Sequence, residues 1–305
     1  MLNELKQKAL TQMQGQSFDT LAVAVLDFKK KSWDGFEIHQ DQFISPVHFF
    51  DLASVTKMLT IGTSYILSPD LFCQETILTS EHRAGLPAWG RLDKDTWREE
   101  VSSFPLFSSD TLYSDFSALR AMMLLEKKMN MSVYDLASRA WADGVYHWTE
   151  LPASCQCPKT GTRNGRAIVG EVHDDNAFII RDKVSHAGLF ASLDGICNTV
   201  LNLDSKHQLI MKVTSLISQM NKELPSQRFV RGFDRVLDLD GTLAGKGASA
   251  LSFGHLGFTG TSMWIDPDKG LGHIILSNAT QNYWYAKDGL NSLRRNIGSF
   301  IWKNF

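Results

Sequence analysis

The spacing of apolar side chains divides the chain into stretches, and the first mixes helices with strands. Residues 2–13 carry an apolar side chain every three or four positions, which predicts an amphipathic helix. Residues 21–28 are a short apolar run typical of a buried strand, and residues 36–39 follow a turn and predict the returning strand. Another helix is predicted to begin near Asp51, a residue type that often caps helices.

The spacing of apolar side chains also separates the middle of the chain from its last part. Residues from 71 to about 203 indicate helices and long loops, with helices over 116–127 and 132–141. After a predicted helix over 209–220, strand-like segments follow. They are residues 261–266 and 273–277, on either side of a Pro-Asp-Lys-Gly turn, and an amphipathic helix over 286–302 closes the chain.

Strands near both ends and helices between them predict an α+β fold. We expect one antiparallel sheet built from the N- and C-terminal segments, flanked by the terminal helices, with an inserted all-helical lobe. Residues 1–62 plus 205–305 would form the sheet lobe and residues 63–204 the helical lobe, together one catalytic domain. A cleft between two such lobes is a usual place for a small-molecule site.

Composition narrows the class of protein without identifying a function. The chain has 305 residues, of which 43% are hydrophobic and 21% charged, which is ordinary for a globular protein and excludes a disordered or fibrous one. The formal net charge of −2 offers no bulk attraction for nucleic acid or an anionic membrane. No apolar run approaches the roughly 20 residues that span a bilayer.

The cysteines and the N-terminus bear on the compartment. None of the four cysteines forms C-x-x-C, and we expect them to be reduced thiols. The first residues contain no apolar segment of a secretory signal. The sequence therefore predicts a cytoplasmic protein, or a periplasmic one if a leader has been removed. Nothing in it predicts the oligomeric state.

The chain contains one S-x-x-K segment, Ser54-Val55-Thr56-Lys57. Positions i and i+3 share a helix face, so the Lys57 amine is expected beside the Ser54 hydroxyl. A neutral amine can take the serine proton if burial and nearby cations lower its pKa. Unpaired N–H groups at a helix start, including that of Ser54, can face a developing oxyanion. Taken alone, the motif also fits an exposed helix pair without chemistry.

Two further segments bring polar groups that suit the same chemistry. Tyr113-Ser114-Asp115 precedes a predicted helix, and a Tyr oxygen beside a cationic Lys can relay protons. The glycine-spaced segment 254–267 runs into a predicted strand, and its His255 would bring a switchable charge to the cleft. Each segment alone also fits a structural role, as a packed Tyr with a helix cap and as a Gly-rich turn.

Several segments in this order resemble the signatures of the serine β-lactamase and penicillin-binding-protein superfamily, specifically its class C β-lactamase, DD-peptidase and esterase branch. The resemblance covers about residues 20–285. Besides the Y-x-D segment Tyr113-Ser114-Asp115, it rests on five further segments. The matching segments are Phe50-Asp51-Leu52-Ala53-Ser54-Val55-Thr56-Lys57, Ala84-Gly85-Leu86-Pro87-Ala88-Trp89, Gly170-Glu171-Val172-His173-Asp174-Asp175-Asn176-Ala177, Ser185-His186-Ala187-Gly188-Leu189-Phe190 and Gly254-His255-Leu256-Gly257-Phe258-Thr259-Gly260-Thr261.

The resemblance implies a β-lactamase/transpeptidase-like fold and a serine hydrolase that works through an acyl-enzyme on a small ester or amide. It makes Ser54 the acylated nucleophile, Lys57 its base and Tyr113 the proton shuttle. The substrate-binding and oxyanion residues that it implies are Asp115, His255, Gly257 and Phe258, with the N–H groups of Ser54 and Phe258 as the oxyanion donors.

The chain also departs from the family pattern at the substrate side. Leu256 stands where the family has Thr, His255 replaces the strand lysine, and Asp115 stands where class C enzymes favour Asn. Esterase, D,D-peptidase and β-lactamase-like activities therefore all remain open, on a small-molecule or short-peptide substrate and without a cofactor. The alternative is a non-catalytic ligand-binding or regulatory protein on the same scaffold.

His173, Asn176 and His186 are candidate cleft-lining residues. Their spacing matches no familiar zinc pattern, so a loop network bonded to the backbone is favoured over a metal site, and metal-dependent hydrolysis is the weakest alternative. A literal Lys159-Thr160-Gly161 lies upstream of His173 with no strand predicted after it, so it is not assigned as the functional strand.

Overall fold

The computed structural model of the protein describes residues 1–282 and 287–305. Its strands are β1 (Thr20–Asp27), β2 (Ser32–His39), β3 (Gln42–Ile44), β4 (Phe50–Asp51), β5 (Val145–His147), β6 (Gly161–Arg163), β7 (Arg166–Ile168), β8 (Leu189–Ala191), β9 (Phe229–Val230), β10 (Phe233–Arg235), β11 (Phe253–Leu256), β12 (Ser262–Asp266) and β13 (Leu271–Ser277).

The α-helices fill the space between and beside these strands. They are α1 (Leu2–Met13), α2 (Val55–Lys57), α3 (Thr63–Leu67), α4 (Gln74–Ser80), α5 (Trp97–Ser103), α6 (Asp115–Met129), α7 (Val133–Ser138), α8 (Asp175–Ile180), α9 (Leu193–His207), α10 (Leu209–Glu223) and α11 (Asp288–Asn304). A π-helical turn, Met58–Gly62, joins α2 to α3, and 3-10 turns occupy Pro69–Leu71 and Trp148–Glu150.

The predicted α+β fold is confirmed. Eight strands form one sheet in the order β3-β2-β1-β13-β12-β11-β10-β9, and every neighbouring pair in it is antiparallel. The N- and C-terminal segments meet where β1 pairs with β13 along its length. The smaller sheets, β4-β8-β5 and β6-β7, lie outside this order.

Side chains of β1 alternate between two hydrophobic cores, as the period of a strand requires. Leu21, Val23 and Val25 pack in the core shared with α1 and α11. Ala22, Ala24 and Leu26 pack in the core on the other face, which also takes in α9 and α10. The sheet is therefore covered on both faces, and the terminal helices share one of them.

A third hydrophobic core lies between α4, α5, α6 and α8, in the middle of the chain. Phe116, Leu119 and Met122 of α6 contribute to it. The division of the chain at residues 62 and 204 stays a prediction. Helix α9, which spans the second of those positions, packs against β1 of the main sheet.

The boundaries of most predicted elements agree with the structure, notably those of β1, α6, α10 and β12. The predicted helix start at Asp51 is wrong, because Phe50–Asp51 forms a strand and the helix begins after Ser54. The Asp51 carboxylate accepts a hydrogen bond from the Ala53 N–H instead of capping a helix. Ala286, the predicted start of the last helix, lies outside the described residues.

The middle of the chain also contains strands that the sequence did not predict. β5 and β8 pair there, and β6 begins at Gly161, directly within the literal Lys-Thr-Gly segment. β6 pairs only with β7 in a short hairpin, away from the main sheet. In residues 1–282 and 287–305, no helix has the length and apolarity needed to span a membrane.

Candidate active site

Ser54 sits where a short strand turns sharply into a helix. Ala53 has φ +45°, in the left-handed region that non-glycine residues seldom adopt, and Ser54 is the N-cap of α2. The buried carboxylate of Asp51 accepts hydrogen bonds from Ala53 N–H (2.8 Å) and His173 N–H (2.6 Å). Burial raises the pKa of Asp51 to about 6, although these hydrogen bonds oppose the shift.

The turn between β11 and β12 is hydrogen-bonded to the segment that leads into Ser54. The hydroxyl of Thr259 donates to the Asp51 carbonyl (2.7 Å), and that of Thr261 donates to the Leu52 carbonyl (2.9 Å). A Cβ on Gly257 would lie 1.9 Å from Thr261 Oγ1 and 2.6 Å from the Leu52 carbonyl oxygen, so only glycine fits. The Gly257 N–H donates to the Thr261 carbonyl (2.7 Å), so this donor is already used and cannot serve an oxyanion.

Lys57 brings the predicted residues together. Its Nζ donates to Ser54 Oγ (3.0 Å), to Asp115 Oδ1 (2.7 Å) and to the His186 carbonyl (3.0 Å). The side chain of Lys57 is 1% exposed, and that of Asp115 is 19% exposed. The predicted helix-face contact between Ser54 and Lys57 is confirmed, and Asp115 lies against Lys57 as its ion partner.

The charge of Lys57 differs from the sequence-based expectation of an uncharged amine. Burial lowers the pKa of Lys57, but the charge of Asp115 and the hydrogen bonds of Asp115 and Tyr113 outweigh burial and raise it above its ordinary value. The resting amine is therefore an ammonium group. The expected lowering does not occur because the nearby partner of Lys57 is a carboxylate, not another cation.

Tyr113 completes a cluster of groups around Ser54. The Lys57 Nζ lies 5.0 Å from the centroid of the Tyr113 ring. Burial raises the pKa of the Tyr113 hydroxyl, while Lys57 and the hydrogen bonding of Lys57 and Ser54 lower it in part. The phenol is thus neutral at rest and within reach of both side chains. The structure brings Ser54, Lys57, Tyr113 and Asp115 into one place.

His255 is buried on β11 and carries no charge there. It is 2% exposed, and burial together with the charge of Lys57 lowers its pKa to about 3. Its Nδ1 lies 2.8 Å from the Leu256 carbonyl, which can only accept, so we place the ring proton on Nδ1. The expected charge switch near neutral pH is therefore wrong for this histidine.

Phe258 lies at the rim of the site, 41% exposed. Its ring lies 5.6 Å from the ring of His173, measured between centroids. The Lys287 amine lies 3.6 Å from the Phe258 ring centroid and donates to the Phe258 carbonyl (3.2 Å). Burial and Arg294 lower the pKa of Lys287 to about 8. The Phe258 N–H stays a predicted oxyanion donor.

The other candidate cleft residues form a loop network. Asn176 accepts from Leu92 N–H (2.9 Å) and donates to the Gly90 carbonyl (2.8 Å). His186 Nε2 lies 2.9 Å from Asp174 Oδ1, so this residue offers Lys57 its carbonyl rather than its ring. In the described ranges, no group of three or more His, Cys, Asp or Glu side chains is placed to hold a metal ion.

Sequence reasoning missed several groups that border Tyr113. The ring of His82 lies 4.7 Å and that of Phe229 5.3 Å from the Tyr113 ring, between centroids. The guanidinium of Arg228 lies 5.1 Å from the Phe229 ring centroid. His82 lies two residues before the family-like segment that begins at Ala84, and this proximity was a usable signal. Nothing in the local sequence singles out Arg228 or Phe229.

Solved structures share the fold at low sequence identity. A class C β-lactamase aligns with a TM-score of 0.68 at 13% identity, covering 99% of this chain and 98% of that one. A β-lactamase/D-alanine carboxypeptidase from Pseudomonas syringae aligns with a TM-score of 0.65 at 13% identity, covering 96% and 98%. Simvastatin synthase from Aspergillus terreus aligns with a TM-score of 0.62 at 15% identity, covering 98% and 94%.

Sequence comparison identifies a matching family model and one curated relative. The relative is an N-acetylmuramyl-L-alanine amidase of Bacillus subtilis (strain 168), 35% identical over an alignment of 123 residues that covers 36% of this chain and 26% of that protein. The chain thus spans about a quarter of that relative's length. The Beta-lactamase family model matches residues 80–293, a range that includes Tyr113 and His255 and begins after Lys57. The chain belongs to the Beta-lactamase family.

Proposed function

We propose that this chain is a serine hydrolase that forms an acyl-enzyme on Ser54 with a small ester or amide. The observation that carries the proposal is the 3.0 Å hydrogen bond between Lys57 Nζ and Ser54 Oγ, beside Tyr113 and in a member of the Beta-lactamase family. The name of the Bacillus subtilis relative, an amidase, supports cleavage of an amide. That of the Pseudomonas syringae neighbour supports the same chemistry.

In the first half of the reaction, Ser54 Oγ attacks the carbonyl carbon of the substrate and its proton passes to the pair formed by Lys57 and Tyr113. The new oxyanion faces the Ser54 N–H, at the start of a helix, with the Phe258 N–H as the second donor. When the tetrahedral intermediate collapses, the bond to the leaving group breaks. The leaving group then receives the proton from Tyr113.

In the second half, water attacks the ester on Ser54, and the same pair takes one of its protons. Collapse releases the acid and returns the proton to Ser54 Oγ, so the pair ends as it began. Because the pKa of Lys57 is raised, only a small fraction of the resting protein holds the base form at neutral pH. Activity is therefore expected to increase with pH through and above neutrality.

Labelling of Ser54 tests this function directly. A fluorophosphonate probe should add to one serine, and mass mapping of the peptides should find the adduct on Ser54. The Ser54→Ala variant, in which a half-buried hydroxyl is replaced without adding bulk, should fold normally and take no label. An adduct on another serine, or none while an active control protein labels, would reject the proposal.

A substrate panel then separates the finer possibilities. We would measure turnover of p-nitrophenyl esters, nitrocefin and a D-Ala-D-Ala peptide with the wild type and with Ser54→Ala. Turnover of one class that is lost in Ser54→Ala assigns esterase, β-lactamase-like or D,D-peptidase activity. Binding of a panel member without turnover or label would favour the ligand-binding alternative.

A further inference from the structure

The buried carboxylate of Asp51 joins two backbone segments beside Ser54. Its Oδ1 accepts the Ala53 N–H at 2.8 Å, and its Oδ2 accepts the His173 N–H at 2.6 Å. The first donor lies in the turn directly before Ser54, and the second lies in the loop before α8. Each oxygen of one carboxylate therefore holds a different part of the backbone around the nucleophile.

The bond to Ala53 supports a backbone conformation that is costly without it. Ala53 has φ +45°, which is unfavourable for a residue that carries a Cβ. A carboxylate that accepts the N–H two positions ahead forms an Asx turn, which stabilises such a bend locally. Because Ser54 follows Ala53 directly, the direction of the Ser54 N–H and hydroxyl depends on this turn.

The bond to His173 is connected to Lys57 through two further residues. Asp174 follows His173 in the chain, and its Oδ1 lies 2.9 Å from His186 Nε2. The His186 carbonyl in turn accepts from Lys57 Nζ at 3.0 Å. The loop that Asp51 holds by one N–H is therefore tied, by two more hydrogen bonds, to the amine that contacts Ser54.

We propose that Asp51 is a positioning residue, whose carboxylate fixes Ser54 relative to Lys57 by holding the turn at Ala53 and the loop at His173 together. An ionised carboxylate accepts from backbone N–H groups strongly, whereas a protonated one has lost part of its acceptor capacity. This inference rests on the proposed hydrolase function and adds a residue that acts through Ser54 and Lys57.

The charged and titratable groups around Asp51 determine where it loses its charge. Burial raises the pKa of Asp51 to about 6, the backbone N–H groups and Arg163 oppose the shift, and Asp174 adds to it. Burial also raises the pKa of the Cys157 thiol to about 12 and lowers that of the His173 ring, so both are neutral near pH 6. Strand β8 and the turn between β11 and β12 carry no titratable side chain. Asp51 is therefore ionised above about pH 6 and protonated below it.

The pH dependence of Ser54 labelling tests the inference. We would measure the rate constant of fluorophosphonate labelling from about pH 4.5 to 8 and plot its logarithm against pH. Deprotonation of Lys57 sets the slope near neutrality. Below about pH 6 Asp51 also takes up a proton, so the wild-type slope should steepen by about one over the next one to two pH units.

Asp51→Asn removes the ionisation and keeps the size of the side chain. Its amide presents N–H donors where a carboxylate oxygen accepted one, so one backbone segment is released. At pH 7 we expect labelling to be about tenfold to a hundredfold slower, the usual cost of a misplaced reacting group. The steepening below pH 6 should be absent, because the variant has no carboxylate to protonate there.

Control variants separate positioning from folding. Asp266→Asn is the matched control, since Asp266 is fully buried at the end of β12 and its Oδ2 accepts the Ser249 N–H at 2.8 Å. It should be less stable in urea but label with the wild-type rate and slope. If Asp51→Asn does not fold, Asp51→Asn/Ala53→Gly replaces it, because glycine adopts a positive φ readily. The double variant should also lack the steepening.

The outcomes distinguish this inference from the proposed function. A wild-type profile that does not steepen below pH 6, or an Asp51→Asn variant that labels at the wild-type rate, would show that Asp51 does not position Ser54, and the hydrolase proposal would stand. Steepening that persists in the Asp51 variants would belong to another group and would also overturn the inference. If Ser54 takes no label in the wild type, the hydrolase proposal itself fails.

Discussion

The proposed reaction centre around Ser54 and the neighbouring strand β11 differ in the charge of their buried side chains. At the centre, the buried Lys57 amine is held by Asp115 at 2.7 Å and contacts Ser54 at 3.0 Å. On β11, His255 is equally buried but has no ion partner among the residues that the structure describes, and burial together with the charge of Lys57 leaves it neutral. The comparison teaches that a buried group keeps its charge only where a counter-ion offsets the cost of desolvation.

The largest expected effect follows from removing the charged amine of Lys57. Lys57→Met takes away the proton acceptor, and fluorophosphonate labelling of Ser54 should slow by about 10²–10⁴-fold, the usual range for a general base. Asp115 stays hydrated in part, because its side chain is 19% exposed, so the fold should survive. The rate of labelling and the far-UV circular dichroism spectrum measure the two effects.

The control for this prediction is Lys212→Met. Its amine also donates to a backbone carbonyl, that of Ile66 at 2.7 Å, and takes no part in the site. Labelling at the wild-type rate is expected there. Labelling of Lys57→Met at the wild-type rate would show that the serine does not need this amine.

The next effect concerns the turn that supports both regions. In Gly257→Ala the added Cβ would lie 1.9 Å from Thr261 Oγ1 and 2.6 Å from the Leu52 carbonyl oxygen, so the turn must shift relative to Leu52. We expect the free energy of unfolding to fall by about 1–3 kcal/mol, the usual cost of overpacking. Urea unfolding measures this, and an unchanged midpoint with unchanged activity would contradict the structure.

A smaller effect separates the charge of Lys57 from its position. Asp115→Asn removes the carboxylate that raises the pKa of Lys57, so burial then acts unopposed by that charge and the pKa of Lys57 falls. The base form appears at lower pH, and the acidic limb of the kcat/KM profile should shift down by roughly 1–3 pH units. The plateau should decrease as well, because Asn holds the amine less firmly.

The pH profile decides between two roles for Asp115. A limb that stays in place while the plateau falls would assign Asp115 to substrate contact, as the family resemblance implied. A limb that moves to higher pH would show that the carboxylate does not raise the pKa of Lys57. Wild type and variant must be compared at equal ionic strength, since screening weakens the pair.

Much of the fold and of the candidate site could be predicted because the signals are local. The contact between Ser54 and Lys57 follows from a three-residue spacing on one helical segment, and the alternation along β1 follows from the period of a strand. The antiparallel sheet followed from strands placed near both ends of the chain. Such features need no knowledge of which distant segments meet.

The rest depends on contacts between distant segments. Asp51 resembles a helix cap in sequence, but its carboxylate is taken up by Ala53 and by His173 from far along the chain. The charge of Lys57 is set by Asp115, which is 58 positions away, and the ring of Phe229 packs against Tyr113 from a strand far along the chain. Residue type and spacing do not indicate that these distant segments contact one another.

The smallest expected effect concerns His255, the buried side chain that carries no charge. His255→Gln keeps a polar side chain but removes a titratable ring, whose pKa of about 3 already leaves it neutral between pH 5 and 8. The shape of the kcat/KM profile in that window should therefore stay the same, with kcat/KM changing by less than about fivefold, since a neutral hydrogen bond contributes little. An inflection near pH 6.5 that the variant loses would mean that His255 titrates normally, and the contrast with Lys57 would then have to come from solvent access rather than from the missing counter-ion.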